Sequence, residues 1–308
     1  MENNYKILKI WHDGSLKKFE DATTHVLSHG LHYGSGVFEG IRAYSDGKNT
    51  YVFRLEDHIQ RLIDSAKIYR MEIPYSKDEI RNAVMLTIKS NNLFACYIRP
   101  IAFRGLNILG LNPLPCPVEL VIAAWEWESY LGEKGVQNGV AVQISSWNRL
   151  AANTIPNAAK ATGNYLSSQL IKMEALQNGY DEGIALDVHG LVSEGSGENV
   201  FIVKDNIVYT PQDSSSILAG ITRDTVMQIL DKQNITVITK NLTREHLYLS
   251  DEIFMTGTAA EITPVTSIDK INVANALVGP ITKMVQREYN LCVTNASMKN
   301  NKWCSKVE

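Results

Sequence analysis

Residues 154–165 read Thr-Ile-Pro-Asn-Ala-Ala-Lys-Ala-Thr-Gly-Asn-Tyr, and Lys160 carries the one charge in that stretch. Its small neighbours, Ala158, Ala159, Ala161, Thr162 and Gly163, leave room for a large planar ligand to lie against the amine. Partial desolvation there favours the neutral amine, which can act as a nucleophile or general base near neutral pH. A plain lysine at the start of a small-residue helix fits the same residues. Glu194 and Glu198 lie in Ser-Glu-Gly-Ser-Gly-Glu-Asn between two predicted strands. A carboxylate there could keep a heterocyclic nitrogen protonated, or could simply be solvated in a turn. Gly220-Ile221-Thr222 opens a predicted helix, whose first amides and dipole suit a phosphate. Gly257-Thr258-Ala259 is a second small, amide-rich turn at a strand end.

Two arginines have the chemistry to join such a group. Arg61 lies beside the apolar stripe Leu55, Ile59, Leu62, Ile63 and Ala66 of a predicted helix, where it can reach solvent or a pocket rim. Tyr97, Arg99 and Ile101 share one face of a predicted strand. A guanidinium on that face suits a carboxylate ligand or a cross-strand ion pair. Lysine, carboxylate and two anion-friendly turns describe a site for pyridoxal phosphate, but their spacing fits separate structural roles equally well. A metal site is not expected at His25, His29 and His32: Gly30 and Gly34 interrupt any shared helix face, and no carboxylate or cysteine completes a set nearby. Gly34–Gly40 has the wrong spacing for a dinucleotide loop and leads into a strand.

The elements that must position these groups follow from periodicity. Strands are expected at Tyr5–Ile10, with a turn at Asp13-Gly14, and at 37–44, 50–53, 95–104 and 118–127. Helices are expected at Leu55–Arg70 and Ser76–Asn91. Residues 126–138 lose periodicity and gain glycine and charge, which marks a boundary between a small α/β domain (1–125) and a larger one (139–308). In the second part come a strand at 139–147, a helix ending near Asn178-Gly179, and a strand at 183–188. An amphipathic helix carrying Val226, Ile229 and Leu230 follows, then a strand at 235–239 and a helix at 243–249. The last dozen residues read as a mobile tail.

With 308 residues, 44% hydrophobic and 20% charged, the chain suits two soluble globular domains. A net charge of -3 gives no bias towards nucleic acid or anionic membrane. No apolar run reaches the ~18–20 residues of a membrane span, and the N-terminus lacks a signal-peptide pattern. Cys96, Cys116, Cys292 and Cys304 are scattered. The expectation is a cytoplasmic protein without disulfides or metal.

The chain resembles the fold-type IV pyridoxal-phosphate enzymes and, among them, the bacterial branched-chain amino-acid aminotransferases. The resemblance rests on Leu31–Arg42, Tyr97–Pro100, Ser145–Arg149, Ile155–Tyr165, Ser193–Asn199, Ala219–Arg223 and Gly257–Val265, in the family's order. It implies a two-domain α+β or α/β fold whose larger domain has a β-barrel-like core. It also implies transamination between leucine, isoleucine or valine and 2-oxoglutarate, the last step of their biosynthesis or the first of their breakdown. Lys160 would then link covalently to the cofactor and carry the substrate proton. Glu194 would pair with the ring nitrogen and Tyr165 with the phenolic oxygen. Arg61, Ile221, Thr222 and Thr258 would hold the phosphate, Gly197 and Asn199 would line the cofactor, and Leu218 would pack on its ring. The substrate carboxylate would meet Tyr97 and the amides of Thr258 and Ala259. Phe38, Tyr165, Trp127 and Tyr130 would form the apolar pocket, with Gly40 leaving space. Arg99, with Tyr33 supplied by a neighbouring subunit, would receive the distal carboxylate of glutamate. The implied assembly is at least a homodimer, with a homohexamer as the larger form.

Two segments depart from the family: Ala219 stands where relatives often carry proline, and residues 105–112 differ from close members. D-amino-acid aminotransferases carry a histidine at the position of Ile101, which argues against that relative. The Tyr97/Arg99 pair and aromatic pocket argue against an aminodeoxychorismate lyase, and the full set of lysine, carboxylate and phosphate seat against a non-catalytic binding module.

Overall fold

The structure, a computed structural model, describes residues 5–127, 130–294 and 301–307. The chain divides into two compact units. One comprises Met1–Trp127, Ala159–Gly163 and Cys292–Glu308, the other Glu128–Ala158 and Asn164–Leu291. The break at Trp127 falls inside the expected boundary stretch. Residues 159–163 and the C-terminal segment, however, join the first unit, whereas the sequence placed them in the second.

The first unit contains β1 (Lys9–His12), β2 (Ser15–Lys18), α1 (His29–Tyr33), β3 (Gly36–Phe38), β4 (Ile41–Ser45) and β5 (Thr50–Phe53). Helices α2 (Leu55–Ile68) and α3 (Lys77–Ser90) follow, then β6 (Cys96–Arg104) and β7 (Val118–Trp125). Tyr5–Ile7 is a 3-10 turn, so the first strand starts later than its alternation suggested. Asp13 (φ 45°) and Gly14 (φ 86°) are both left-handed, the conformation that a two-residue hairpin matched to strand twist requires. The expected helices form where capping and patterning agree. Leu55, Ile59, Leu62 and Ala66 of α2 are buried, and Ser76 and Glu79 close a capping box on α3.

The expected strand at 37–44 is broken at Glu39-Gly40. Opposite the break lies Pro100, which has no N–H to offer but accepts the Glu39 amide at 2.8 Å. The strand therefore splits, with Phe38 opposite Ile101 and Ile41 opposite Ile98. Glu39 ends up with no exposed surface.

The second unit contains α4 (Gly132–Asn138), β8 (Val140–Ile144), α5 (Tyr165–Gln177), β9 (Glu182–Leu186), β10 (Val192–Gly195), β11 (Asn199–Lys204) and β12 (Ile207–Thr210). It continues through α6 (Ile221–Lys232), β13 (Val237–Thr239), α7 (Arg244–Tyr248), β14 (Glu252–Gly257), β15 (Glu261–Ile268), β16 (Ile271–Asn272) and α8 (Pro280–Val293). A last strand, β17 (Cys304–Lys306), pairs antiparallel with β5 in the first unit. Trp303 is 8% exposed, so this part of the C-terminus is ordered by burial and is not the tail expected. Residues 297–300 and 308 of that tail, and 128–129 of the boundary stretch, lie outside the described residues. The boundary stretch also contains helix α4, which its charge and glycine content concealed.

Each unit is built on one large sheet. In the first, the order is β17-β5-β4-β6-β7-β1-β2, with β3 also on β6. In the second, it is β10-β9-β8-β15-β14-β11-β12-β13, with β16 on β15. That sheet is mixed: β8 runs parallel to both β9 and β15, and β12 to β13, while the other pairs are antiparallel. It curls as a half-barrel, and Phe201 and Phe254 stack across β11 and β14, 5.0 Å apart and nearly parallel.

The second unit buries several carboxylates. Glu252 accepts from the Ile281 and Thr282 amides and the Thr282 hydroxyl, tying down the first turn of α8. Glu182 pairs with Lys172 at 2.8 Å. Glu198 differs: burial and the charges of Glu182 and Glu194 push its carboxyl up to about 8, against the Gly197 amide and Lys172. The folded protein thus binds this proton more tightly than the unfolded chain. Its contribution is complete below about pH 4.5 and is lost as the pH rises towards 8. Glu198→Gln should therefore melt close to wild type at about pH 5 and gain on it progressively up to pH 8. Melting curves that run parallel across that range would contradict this.

Candidate active site

Lys160 is fixed through its backbone. Its carbonyl accepts the Phe38 amide at 3.0 Å, and its amide donates to Ser65 Oγ on α2 at 3.0 Å. Ala161 bridges to Val37, and Thr162 Oγ1 donates to the Gly34 carbonyl at 2.8 Å and the Gly36 carbonyl at 3.2 Å. The lysine is therefore an extension of the β3 ladder, and α5 starts only at Tyr165. Ala159 and Ala161 are buried, so the small residues are packing surface as well as clearance for a ligand. The Lys160 ammonium lies 5.0 Å from the centroid of the Phe38 ring.

Around that ring the first unit gathers most of the expected substrate residues. The Arg99 guanidinium lies 4.8 Å from the Phe38 centroid and 5.4 Å from that of Tyr97, and Arg99 Nη2 donates to the Tyr97 hydroxyl at 3.5 Å. Tyr97 packs against Trp125 at 5.5 Å and Trp127 at 5.2 Å. Among the described residues Arg99 Nε is buried without a hydrogen-bond partner. A Cβ at Gly40 would stand 1.9 Å from the Tyr97 hydroxyl. Only glycine at position 40 lets the Tyr97 hydroxyl sit there. Tyr33 is 45% exposed at the end of α1 and stacks on His29 at 4.5 Å. His29 itself bridges Ser35 Oγ and the Gly110 carbonyl, a structural use of one of the three histidines.

Arg61 grips Glu39 with two bonds, Nε to Oε1 at 2.6 Å and Nη2 to Oε2 at 2.8 Å. His58 Nδ1 lies 2.7 Å from the same carboxylate. Although burial opposes it, the Arg61 and His58 charges and hydrogen bonds hold the Glu39 carboxyl far below the usual range. Glu39 and His58 were not singled out in the sequence. Glu39 lay in a stretch read as alternating strand, and its burial follows from the break opposite Pro100.

The second unit assembles the acidic and amide groups. Glu194, on β10 and 5% exposed, pairs with Arg149 Nη2 at 2.6 Å. Its Oε2 accepts from Asn199 Nδ2 at 3.2 Å and the Leu218 amide at 3.0 Å. Asn199 Nδ2 also donates to the Leu218 carbonyl at 2.9 Å. Arg149 is steadied by Ser168 Oγ at 3.1 Å. Arg149 was visible in the sequence only as the end of Ser-Ser-Trp-Asn-Arg, without a role. Gly220 precedes α6, and a Cβ there would stand 1.9 Å from Asn199 Oδ1; only glycine lets the chain pass Asn199 so closely. Ile221 and Thr222 then form the buried first turn of the helix, whose leading amides have no partner within it.

Gly197, Thr258 and Ala259 occupy two adjoining turns, the Gly197 carbonyl lying 3.4 Å from an ideal Cβ on Gly257. The Ala259 carbonyl accepts the Tyr130 amide at 3.4 Å. Tyr165 is half-buried at the start of α5.

Comparison with known proteins agrees with this chemistry. Residues 36–268 match the family described as amino-transferase class IV. The branched-chain-amino-acid aminotransferase of Salmonella typhimurium is 52% identical over 281 residues, 91% of each chain. The crystal structure of the Escherichia coli branched-chain amino acid aminotransferase superposes with a TM-score of 0.96 at 49% identity, covering 98% of this chain and 100% of that one. That of the branched-chain amino acid aminotransferase from Thermobaculum terrenum, in its PLP-bound holo form, gives 0.92 at 33% identity, covering 99% and 100%. With most of its length inside the family match, and a half-buried lysine, a buried glutamate–arginine pair and an arginine among aromatic rings, the chain belongs to the class IV aminotransferases and, within them, to the branched-chain-amino-acid aminotransferases.

Proposed function

We propose that this protein transfers the amino group of leucine, isoleucine or valine to 2-oxoglutarate, using pyridoxal 5'-phosphate. The observation that carries the reading is Lys160, locked to β3 by its backbone while its amine faces the Phe38 ring. The residues present fit this cofactor. Glu194 is a buried anionic acceptor suited to a protonated ring nitrogen. Gly220 lets the chain pass close to Asn199 ahead of the α6 amides, and the unpartnered Arg99 Nε suits a carboxylate. When bound, pyridoxal phosphate supplies an electron sink for charge developing at the substrate α-carbon.

In this reading Lys160 Nζ would be the covalent attachment point and would carry the proton that leaves the substrate α-carbon. Glu194, paired with Arg149, would hold the ring nitrogen protonated. Tyr165 would donate to the phenolic oxygen, and Arg61, Ile221, Thr222 and Thr258 would bind the phosphate. Gly197 and Asn199 would line the cofactor, and Leu218 would pack on its ring. Tyr97 and the Thr258 and Ala259 amides take the substrate carboxylate, and Phe38, Trp127, Tyr130 and Tyr165 enclose the apolar side chain.

One pocket must also accept glutamate, whose distal carboxylate would cost several kcal/mol to bury unpaired. Arg99, together with Tyr33 from a neighbouring subunit, supplies the partner. Exposed Leu106, Ile108, Leu109 and Leu111, joined to α1 through the Gly105 and Gly110 carbonyls bonded by His29, support a subunit contact there. The assembly is at least a homodimer, with a homohexamer as the larger form. We place the enzyme in the cytoplasm, where its four free thiols stay reduced. Among the described residues no helix is long and apolar enough to cross a membrane.

The test is a substrate panel. L-Leucine, L-isoleucine and L-valine should all react with 2-oxoglutarate, because one methylene in an apolar pocket is worth only ~1–3 kcal/mol, and D-alanine should not. Turnover of D-alanine, or of valine without leucine, would count against the reading. Lys160→Ala should keep its melting temperature within a few degrees and lose turnover by about 10³-fold or more; near-normal turnover would remove Lys160 from the chemistry.

A further inference from the structure

Helix α5 carries a half-buried, ion-paired lysine that none of the roles above uses. Tyr165, Ser168 and Lys172 stand at i, i+3 and i+7, so they line one side of the helix. Ser168 steadies Arg149. One turn further on, the Lys172 ammonium pairs with Glu182 at 2.8 Å and donates to the Asp181 carbonyl at 2.6 Å. Glu182 is fully buried and also accepts the Gly183 amide at 2.7 Å, so both partners are held in place. The same ammonium lies 5.0 Å from the centroid of the Tyr130 ring. Tyr130, 38% exposed, is further tied through its amide to the Ala259 carbonyl at 3.4 Å. The charged and titratable groups that act on Tyr130 are Glu198, Glu182 and Tyr165, with Lys172 at its face.

We propose that Lys172, anchored on Glu182, is a positioning residue for Tyr130 and thereby sets how tightly the enzyme holds branched aliphatic side chains. The inference rests on the reading of Tyr130 as a wall of the substrate pocket. A cation against an aromatic face is attracted by the ring quadrupole, more strongly as both are desolvated. Here the ammonium cannot drift, because Glu182 and a backbone carbonyl fix it. The residue is therefore held at its ring face by Lys172 and at its backbone by Ala259. Tyr130 lies within the stretch 126–138 that loses periodicity in the sequence, outside the strands of either sheet, so these two ties orient it. Lys172 touches no reacting atom in this scheme, so its removal should appear in substrate affinity and not in the chemical step.

The experiment measures kcat and KM for L-leucine in the holoenzyme and five variants. Lys172→Met should raise KM about 3- to 10-fold, the range a cation–π contact of this kind can supply, with kcat within about twofold. Because Lys172→Met leaves Glu182 buried without its counter-ion and could compromise folding, Lys172→Met/Glu182→Gln removes both charges and should show the same rise. Lys172→Arg, which can both pair with Glu182 and stack on the ring, should restore wild-type KM. In a Tyr130→Ala background, where no ring remains to be held, Lys172→Met should have no further effect on KM.

An unchanged KM in the charge-balanced variant, or an undiminished effect of Lys172→Met in the Tyr130→Ala background, would overturn the proposal while leaving the aminotransferase reading intact. Absence of leucine turnover in the wild-type enzyme would overturn both.

Discussion

Everything chemical in the first unit depends on four hydrogen bonds that tie residues 160–162 to the β3 edge and to α2. The Phe38 amide, the Ser65 hydroxyl and the Gly34 and Gly36 carbonyls hold the segment. Their effect is to take a lysine in a loop and give it the fixed backbone of a strand. A flexible lysine side chain loses up to about 2 kcal/mol of rotamer entropy on being positioned. Anchoring the backbone leaves only that side-chain cost to be met by the ligand. It also explains why the lysine segment belongs to the first unit, although most of the chain around it belongs to the second.

Buried charge is the second organising feature, and it is handled the same way in each unit. A carboxylate removed from water is tolerated when a cation and further donors satisfy it, and is strongly destabilising when left alone. Glu39 has Arg61 and His58; Glu194 has Arg149, Asn199 and the Leu218 amide; Glu182 has Lys172 and the Gly183 amide. In each case the ionic partner also belongs to, or lies next to, a residue assigned to cofactor or substrate. The networks therefore fix the orientation of working groups as well as compensating their burial. Glu198 is satisfied less completely, and its raised proton affinity is the consequence.

The sequence was most legible where one local signal was enough. The α2 stripe, the helix expected from Ser76 and the Asp13-Gly14 turn are set by residues close in the chain, and all three form. It was least legible where a distant partner decides. The break at Glu39 depends on Pro100, some sixty residues away, and the ordering of Trp303 to Lys306 depends on β5. The site shows the same contrast. The motifs located Lys160, Glu194 and Arg99, whereas the partners of Arg61 and Glu194, namely Glu39 with His58 and Arg149, emerged only from the fold. The lack of a side chain at Gly40 is visible in the sequence, while its close approach to the Tyr97 hydroxyl is not.

The central claim is that a single amine, Lys160 Nζ, carries the cofactor. The most direct measurement is reduction of the purified holoenzyme with borohydride, followed by proteolysis and mass analysis of the peptides. The phosphopyridoxyl group should be found on the peptide containing Ala159-Lys160-Ala161, in a stoichiometry approaching one per chain. Finding it on another lysine, or on none, would contradict the assignment of Lys160 and every role derived from it.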